Sequence, residues 1–205
     1  TRVVTIGCAY PLSKQDLPNR SLWTGLFVFT MFFSGGTIPS YLLIKNLGLL
    51  DSRLVLILPC LMSVYNMIIM RNFFMSLPVS LEEAAMIDGA NDFTILIKVF
   101  LPISLPIIAT VGLWTAVGHW NAWFDSMIYI QSTNKQVAQV ILRRIVLEGT
   151  TQLMDMTMMS EDFTQANTEA VKAATILVTT LPILILYPFL QKYFVKGVMV
   201  GSLKG

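Results

Sequence analysis

The sequence predicts an all-α fold, specifically a polytopic integral membrane protein. Two observations carry that reading. Only 13% of the 205 residues are charged while 55% are hydrophobic, with mean hydropathy +0.67. Four long apolar stretches also run without a single charge. A soluble domain carries about 25% charged residues, so this chain could not cover a globule's surface with its own. The composition excludes a disordered chain and argues against an ordinary soluble enzyme. The net charge of +2 implies no nucleic-acid partner. Cys8 and Cys60 sit in apolar stretches, too few for a disulfide framework and without metal-ligand spacing, and read as packing residues.

About 20 apolar residues cross the hydrocarbon of a bilayer. The first full span is residues 21–44; Gly35-Gly36 and Pro39 predict that its helix stops or kinks near Ser34. The second, 54–70, lies between Arg53 and Arg71 and contains Pro59. The third is charge-free from Val99 to Phe124 and is placed in the bilayer as 103–128. The fourth is 173–191, starting after Lys172. Ahead of them, Val3 to Tyr10 is apolar from the outset and no initiator Met precedes it. The expectation is a protein whose start is missing, with a spanning helix cut in its middle.

The connections fix an orientation. With the tail inside, Lys14, Arg20, Arg71, Lys98, Lys192, Lys196 and Lys204 face the cytoplasm. Lys45, Arg53, Lys135, Arg143, Arg144 and Lys172 lie outside. The positive-inside rule favours this arrangement by a narrow margin. Segment 71–101 is then cytoplasmic and the 131–172 loop extracytoplasmic.

The cytoplasmic segment is the informative one. Ser80 and Glu83 have capping-box spacing ahead of a short helix, Leu81 to Ile87, with Pro78 before it. Gly89 stands where that helix ends and where the chain needs positive φ. Asn91 or Asp92 can cap a second helix, Phe93 to Leu101, and Pro102 and Pro106 lead into the next span. By physics alone this is either a well-capped amphipathic loop or a surface helix that docks in a partner's groove.

Glu83-Ala84-Ala85, Gly89 four residues on, and Leu101-Pro102 together resemble the EAA motif of binding-protein-dependent ABC importer permeases. The longer form EAAxxDGA is present as Glu83 to Ala90, including Asp88; Val99 replaces the usual isoleucine. GHWNAWFD (118–125), FFSGGTIPSYLL (32–43) and the ending YPFLQKYFVKGVMVGSLKG (187–205) are similar to the carbohydrate-uptake branch. More narrowly, they look like maltose-type permeases and permeases for oligosaccharides from complex polysaccharides.

The resemblance implies a type I ABC importer transmembrane fold, of which 1–205 would be one partial domain: the last four of six spans plus the end of the second. It implies a multi-pass protein of the bacterial cytoplasmic membrane, surrounded by lipid. Its partners would be a second permease, a cytoplasmic ABC ATPase dimer and an extracytoplasmic solute-binding protein, with an oligosaccharide as cargo. ATP and magnesium would sit on the ATPase, with no cofactor, metal or catalytic residue on this chain. Glu83, Ala84, Ala85, Asp88, Gly89, Ala90, Leu101 and Pro102 would form the ATPase-coupling loop. Glu83 would meet basic or polar groups, the alanines would allow close approach, and a larger residue at Gly89 would be strained and clash. The chain has no GxxxxGK[ST] phosphate loop; the glycine rhythm Gly197 to Gly205 lacks the required order.

Trp114, His119, Trp120, Asn121 and Trp123 make the third span the candidate substrate path, since aromatic faces suit sugar rings and Asn121 can bond hydroxyls. An interfacial aromatic belt explains the same tryptophans. His119 reads as a helix-contact hydrogen bonder, and Asn66 as a helix–helix hydrogen bond. Met154, Met156, Met158 and Met159, in an acidic stretch of the outer loop, suit flexible partner contact. Two other classes remain: an ABC permease for a non-sugar solute, and a passive channel or membrane enzyme.

Overall fold

The computed structural model describes residues 2–156, 170 and 172–185, with side chains for those up to 147 and from 170 onward. Among the described residues there is helix and turn but no strand. The elements are α1 (Arg2–Ser13), α2 (Arg20–Phe32), α3 (Thr37–Asn46), α4 (Val64–Ser76), α5 (Val79–Ile87) and α6 (Asp92–Ile103). Then come α7 (Leu105–Asn121), α8 (Phe124–Tyr129), α9 (Ala138–Met156) and α10 (Lys172–Ile185).

No single described helix is long and apolar enough to cross a membrane. Two bent pairs reach that length and composition together: α2 with α3, bent by 106°, and α6 with α7, bent by 80°. The first break falls at Phe33–Gly36, where the sequence places it. Gly36 has φ +86°, a value that favours glycine, and it leads straight into α3.

The stretch 54–70 departs from expectation. Only its second half is helical. Residues 53–56 form a 3-10 turn and 57–63 an irregular one. Pro59 has no N–H to continue a helix. Ser63 then restarts it, its hydroxyl accepting the Asn66 N–H at 3.4 Å. α4 runs past Arg71 to Ser76, because Arg71 has somewhere to put its charge: its Nε–H donates to the Leu12 carbonyl at the end of α1, at 2.9 Å.

The stretch 103–128 is also divided, into α7 and α8, with a break at Ala122–Trp123. Of the stretch 173–191, residues up to Ile185 are helical and the rest lie outside the described residues, as do Met158 and Met159.

The main core joins α1, α4, α6 and α7. Ala9, Tyr10, Met67, Met70, Phe74, Ile95, Phe100 and Val111 are buried together. Tyr10, Phe74 and Phe100 meet edge-on with centroids 5.2 to 6.3 Å apart, one ring from each of three helices. Cys8 packs at the margin of this cluster. Asn66, inside α4, donates to the Thr115 hydroxyl of α7 at 3.5 Å, the helix–helix bond its position suggests. By contrast α2 buries none of its residues, and Phe29 and Phe32 lie open. α10 likewise exposes Ile176, Leu177, Leu181 and Leu184. Such apolar faces need lipid or a partner to cover them.

A second, smaller cluster holds the other end. Ile44, Val55, Tyr129 and Ile130 are buried there. Asp51 (φ +55°) locks it. Its carboxylate accepts the Gln131 N–H (3.1 Å), the Ser132 N–H (2.8 Å) and the Ser132 hydroxyl (2.6 Å), and pairs with Lys135 Nζ at 2.8 Å. Hydrogen bonds from Lys135, then Ser132, hold this carboxyl well below the usual carboxylate range.

Candidate functional site

α5 and α6 form the segment that carries Glu83 to Pro102. Pro78, with φ −60° and ψ 130°, is the N-cap of α5, so the helix starts at Val79. Ser80 is therefore inside the first turn, no side-chain cap bond forms, and the expected capping box is absent. Proline supplies the start instead, since its fixed φ directs the chain into the helix.

The end of α5 is as the sequence indicates. Gly89 has φ +80°. Its N–H donates to the Met86 carbonyl at 3.0 Å, and the Ala90 N–H reaches back to the Ala85 carbonyl at 3.0 Å. These two bonds are a Schellman motif, which needs a left-handed residue at this point. A Cβ at Gly89 would meet nothing within 4 Å, so the expected clash within this chain is absent and only the conformational cost remains. Asn91 caps α6, its Oδ1 accepting the Thr94 N–H at 2.8 Å.

α6 contains one π-helical turn, Leu96–Phe100, in which the Leu101 N–H bonds Leu96. Pro102 explains it: the ring excludes the Lys98 carbonyl from an ordinary helical bond. The chain then bends at Ser104, which is fully buried with an unpartnered hydroxyl. Pro106, lacking an N–H, follows directly.

The motif residues divide by face. Glu83, Ala84, Asp88, Gly89 and Pro102 are exposed, whereas Ala85, Ala90 and Leu101 are partly covered. Ala85 and Ala90 pack against the main core. α5 buries no residue, and Ile87 is 87% exposed beside Phe93 at 69%.

Lys14 ties this segment to the rest, and the motif gives no hint of it. Its ammonium forms an ion pair with Glu82 of α5 and reaches Asp92 of α6 at 3.2 Å. It also sits 4.7 Å from the Tyr10 ring centroid. Burial acts to lower the Lys14 pKa, but the bonds to Glu82 and Asp92 outweigh it and hold it above its ordinary value. Arg20 and Arg71 donate to the Lys14 and Leu12 carbonyls, so cations cover the C-terminal end of α1. The only sequence signal was a lone lysine in the short polar connection after α1.

The aromatic residues of the third stretch do not converge. Trp114 and Asn121 are seven residues apart, about 20° from the same face of α7. His119 and Trp120 point elsewhere on the helix. Trp114 lies 6.2 Å from the Tyr65 ring. Trp120 Nε1–H donates to the Thr179 carbonyl of α10 at 2.9 Å. His119 and Asn121 are exposed. Trp123, beyond the end of α7, carries the Arg143 guanidinium 4.0 Å above its ring. Among the described residues no group of His, Cys, Asp and Glu could hold a metal ion.

Residues 18–200 match the family model of the binding-protein-dependent transport system inner membrane component. The chain belongs to this family. It is an ABC importer permease, a membrane transport subunit rather than an enzyme. It is 47% identical over 197 residues to the polygalacturonan/rhamnogalacturonan transport system permease protein YtcP of Bacillus subtilis (strain 168), covering 96% of this chain and 68% of that one. It is 44% identical over 204 residues to Protein LplC of the same organism, covering 98% and 68%. Among solved structures it matches a bacterial ABC transporter involved in the import of the acidic polysaccharide alginate. The TM-score is 0.80 at 36% identity, over 93% of this chain and 67% of that one. The fold is that of an ABC importer permease, as the resemblance implied. Family membership implies a permease partner, an ATPase and a binding protein.

Proposed function

We propose that this permease forms, with a second permease, the path for a uronate-bearing oligosaccharide released from a complex polysaccharide. A solute-binding protein delivers the sugar from outside. A cytoplasmic ABC ATPase dimer, which holds the ATP and magnesium, drives transport through the α5–α6 segment. The observation that carries this reading is α5 itself: a short helix with no buried residue, ending in a glycine-dependent turn and held to the bundle through Lys14.

In this reading Glu83 meets polar or basic groups of the ATPase, and Ala84 permits close approach. Ala85 and Ala90 seat the helix on its own core. Asp88 and Gly89 shape the turn. Leu101 and Pro102 carry displacement toward the elbow at Ser104. The unpartnered Ile87 and Phe93 widen the surface on offer. Residues 21–44, 64–76, 105–121 and 173–185 cross or enter the bilayer. The acidic character of the cargo is taken from the substrates named for the similar proteins.

The test is reconstitution of the whole importer in proteoliposomes, with trigalacturonate as cargo. ATP-dependent uptake that requires the binding protein and rises with ATP hydrolysis supports the reading. Uptake that proceeds without the ATPase overturns it.

A further inference from the structure

One of the candidate path residues, Trp123, lines a cavity of ≈ 410 Å³ that opens between α9 and α10, beside the end of α7. Its volume falls in the range of small-ligand sites, about 300–1,000 Å³. Trp123, Gln139, Arg143 and Thr179 supply its polar and aromatic wall, and Leu142 and Ile176 part of the apolar remainder. Three features of this wall point the same way.

Arg143 holds its guanidinium over the Trp123 indole, 4.0 Å from the ring centroid, and is in ion-pair contact with no carboxylate among the described residues. Among the described residues its N–H groups donate no hydrogen bond, so they are open to a ligand. A guanidinium matches a carboxylate with two parallel hydrogen bonds. Gln139 Nε2 is buried without an acceptor, a costly state that a ligand oxygen would relieve. Thr179 donates its hydroxyl proton to the Thr175 and Ile176 carbonyls, leaving lone pairs to accept from a sugar hydroxyl.

From this geometry we infer that Arg143, Gln139 and Trp123 form a receiving site for the carboxylate of a uronate residue on the extracytoplasmic side. The inference rests on the oligosaccharide reading above and adds a place and a charge preference to it. Arg143 binds the carboxylate through its N–H groups, Gln139 donates a further hydrogen bond, and Trp123 holds the guanidinium over its ring.

An anionic lipid headgroup offers similar chemistry, so the test separates the two. The whole importer is placed in phosphatidylcholine vesicles and in vesicles containing phosphatidylglycerol. Uptake of trigalacturonate is compared with uptake of its methyl ester. Arg143→Ala is expected to reduce the acid-over-ester preference about tenfold in both lipids, and Arg143→Lys to retain part of it. Arg143→Gln keeps a planar group on Trp123 without charge and serves as the second variant if the alanine protein does not assemble. Gln139→Leu should lower the preference about threefold. A wild type that prefers the acid while both neutral Arg143 variants keep that full preference overturns the site alone. An effect confined to phosphatidylglycerol vesicles also overturns it, in favour of the lipid. A wild type that imports neither form overturns the substrate reading and this site with it.

Discussion

Lys14 and Glu82 are 68 residues apart and form an ion pair with side chains only 14% and 16% exposed. The pair fastens the N-terminal end of the α5–α6 segment to the end of α1. Asp92, on the next helix, shares the same ammonium at 3.2 Å. One cation thus holds both arms of the α5–α6 hairpin.

Removing that cation should loosen both arms at once. Lys14→Ala is expected to cost about 1–3 kcal/mol, because two carboxylates lose a charged donor. Glu82→Gln should cost less, and the exchange Lys14→Glu with Glu82→Lys should recover part of the loss. Thermal unfolding of the purified importer, analysed as a double-mutant cycle, measures this. The folded-state pKa of Lys14 is raised, so its contribution is complete below the unfolded value of about 10.4 and is lost only as pH rises through the folded value. The Lys14 contribution should therefore be flat between pH 6 and 9.

Gly89→Ala should cost about 1–2 kcal/mol, since its φ of +80° lies in the left-handed region. Gly89→Asn should cost less than alanine, because asparagine tolerates that region. Gly89→Asp is expected to insert normally while losing substrate-stimulated ATP hydrolysis and uptake. Membrane abundance and ATPase assays in the reconstituted importer check both parts. Normal uptake by the aspartate variant would count heavily against the coupling role.

Cross-linking should distinguish the two adjacent alanines. Ala84 is exposed whereas Ala85 packs against the core. Ala84→Cys is expected to capture the ATPase subunit in intact membranes at least several times more efficiently than Ala85→Cys. Equal capture would show that α5 turns over on docking.

Asp51 should protect the cluster of Ile44, Val55, Tyr129 and Ile130 against acid. Its folded-state pKa is lowered, so its contribution is present above the unfolded value of about 3.9 and disappears as pH falls below that through the folded value. The stability difference between wild type and Asp51→Asn should be constant from pH 8 to pH 5 and shrink only below about pH 4. Denaturation monitored by circular dichroism across that range measures it.

The sequence made some of this legible because the responsible residue acts locally. Gly36 and Gly89 announce their turns through backbone freedom, and Asn91 caps the next helix from its own side chain. The motif Glu83 to Ala90 located the segment without revealing what anchors it. Lys14 was invisible because its partners are 68 and 78 residues away. Arg71 misled for the same reason. Its charge marks the end of an apolar stretch, but a carbonyl on α1 satisfies it and α4 continues. The capping box failed through a two-residue offset, since Pro78 starts α5 before Ser80 can cap it. The aromatic residues shared a stretch of sequence but not a direction, and the break at Ala122–Trp123 sends Trp123 to α9 rather than toward Trp114.

The corner at Ser104 has a mechanical meaning. Pro102 and Pro106 flank it, and neither has an amide proton to lose. Changing the 80° angle between α6 and α7 therefore breaks no backbone ladder bond at those two positions. Sliding α6 along its own axis would instead tear the ring cluster of Tyr10, Phe74 and Phe100. Swivel is thus the soft coordinate of this joint and thrust the stiff one, so force arriving at α5 reaches α7 as torque.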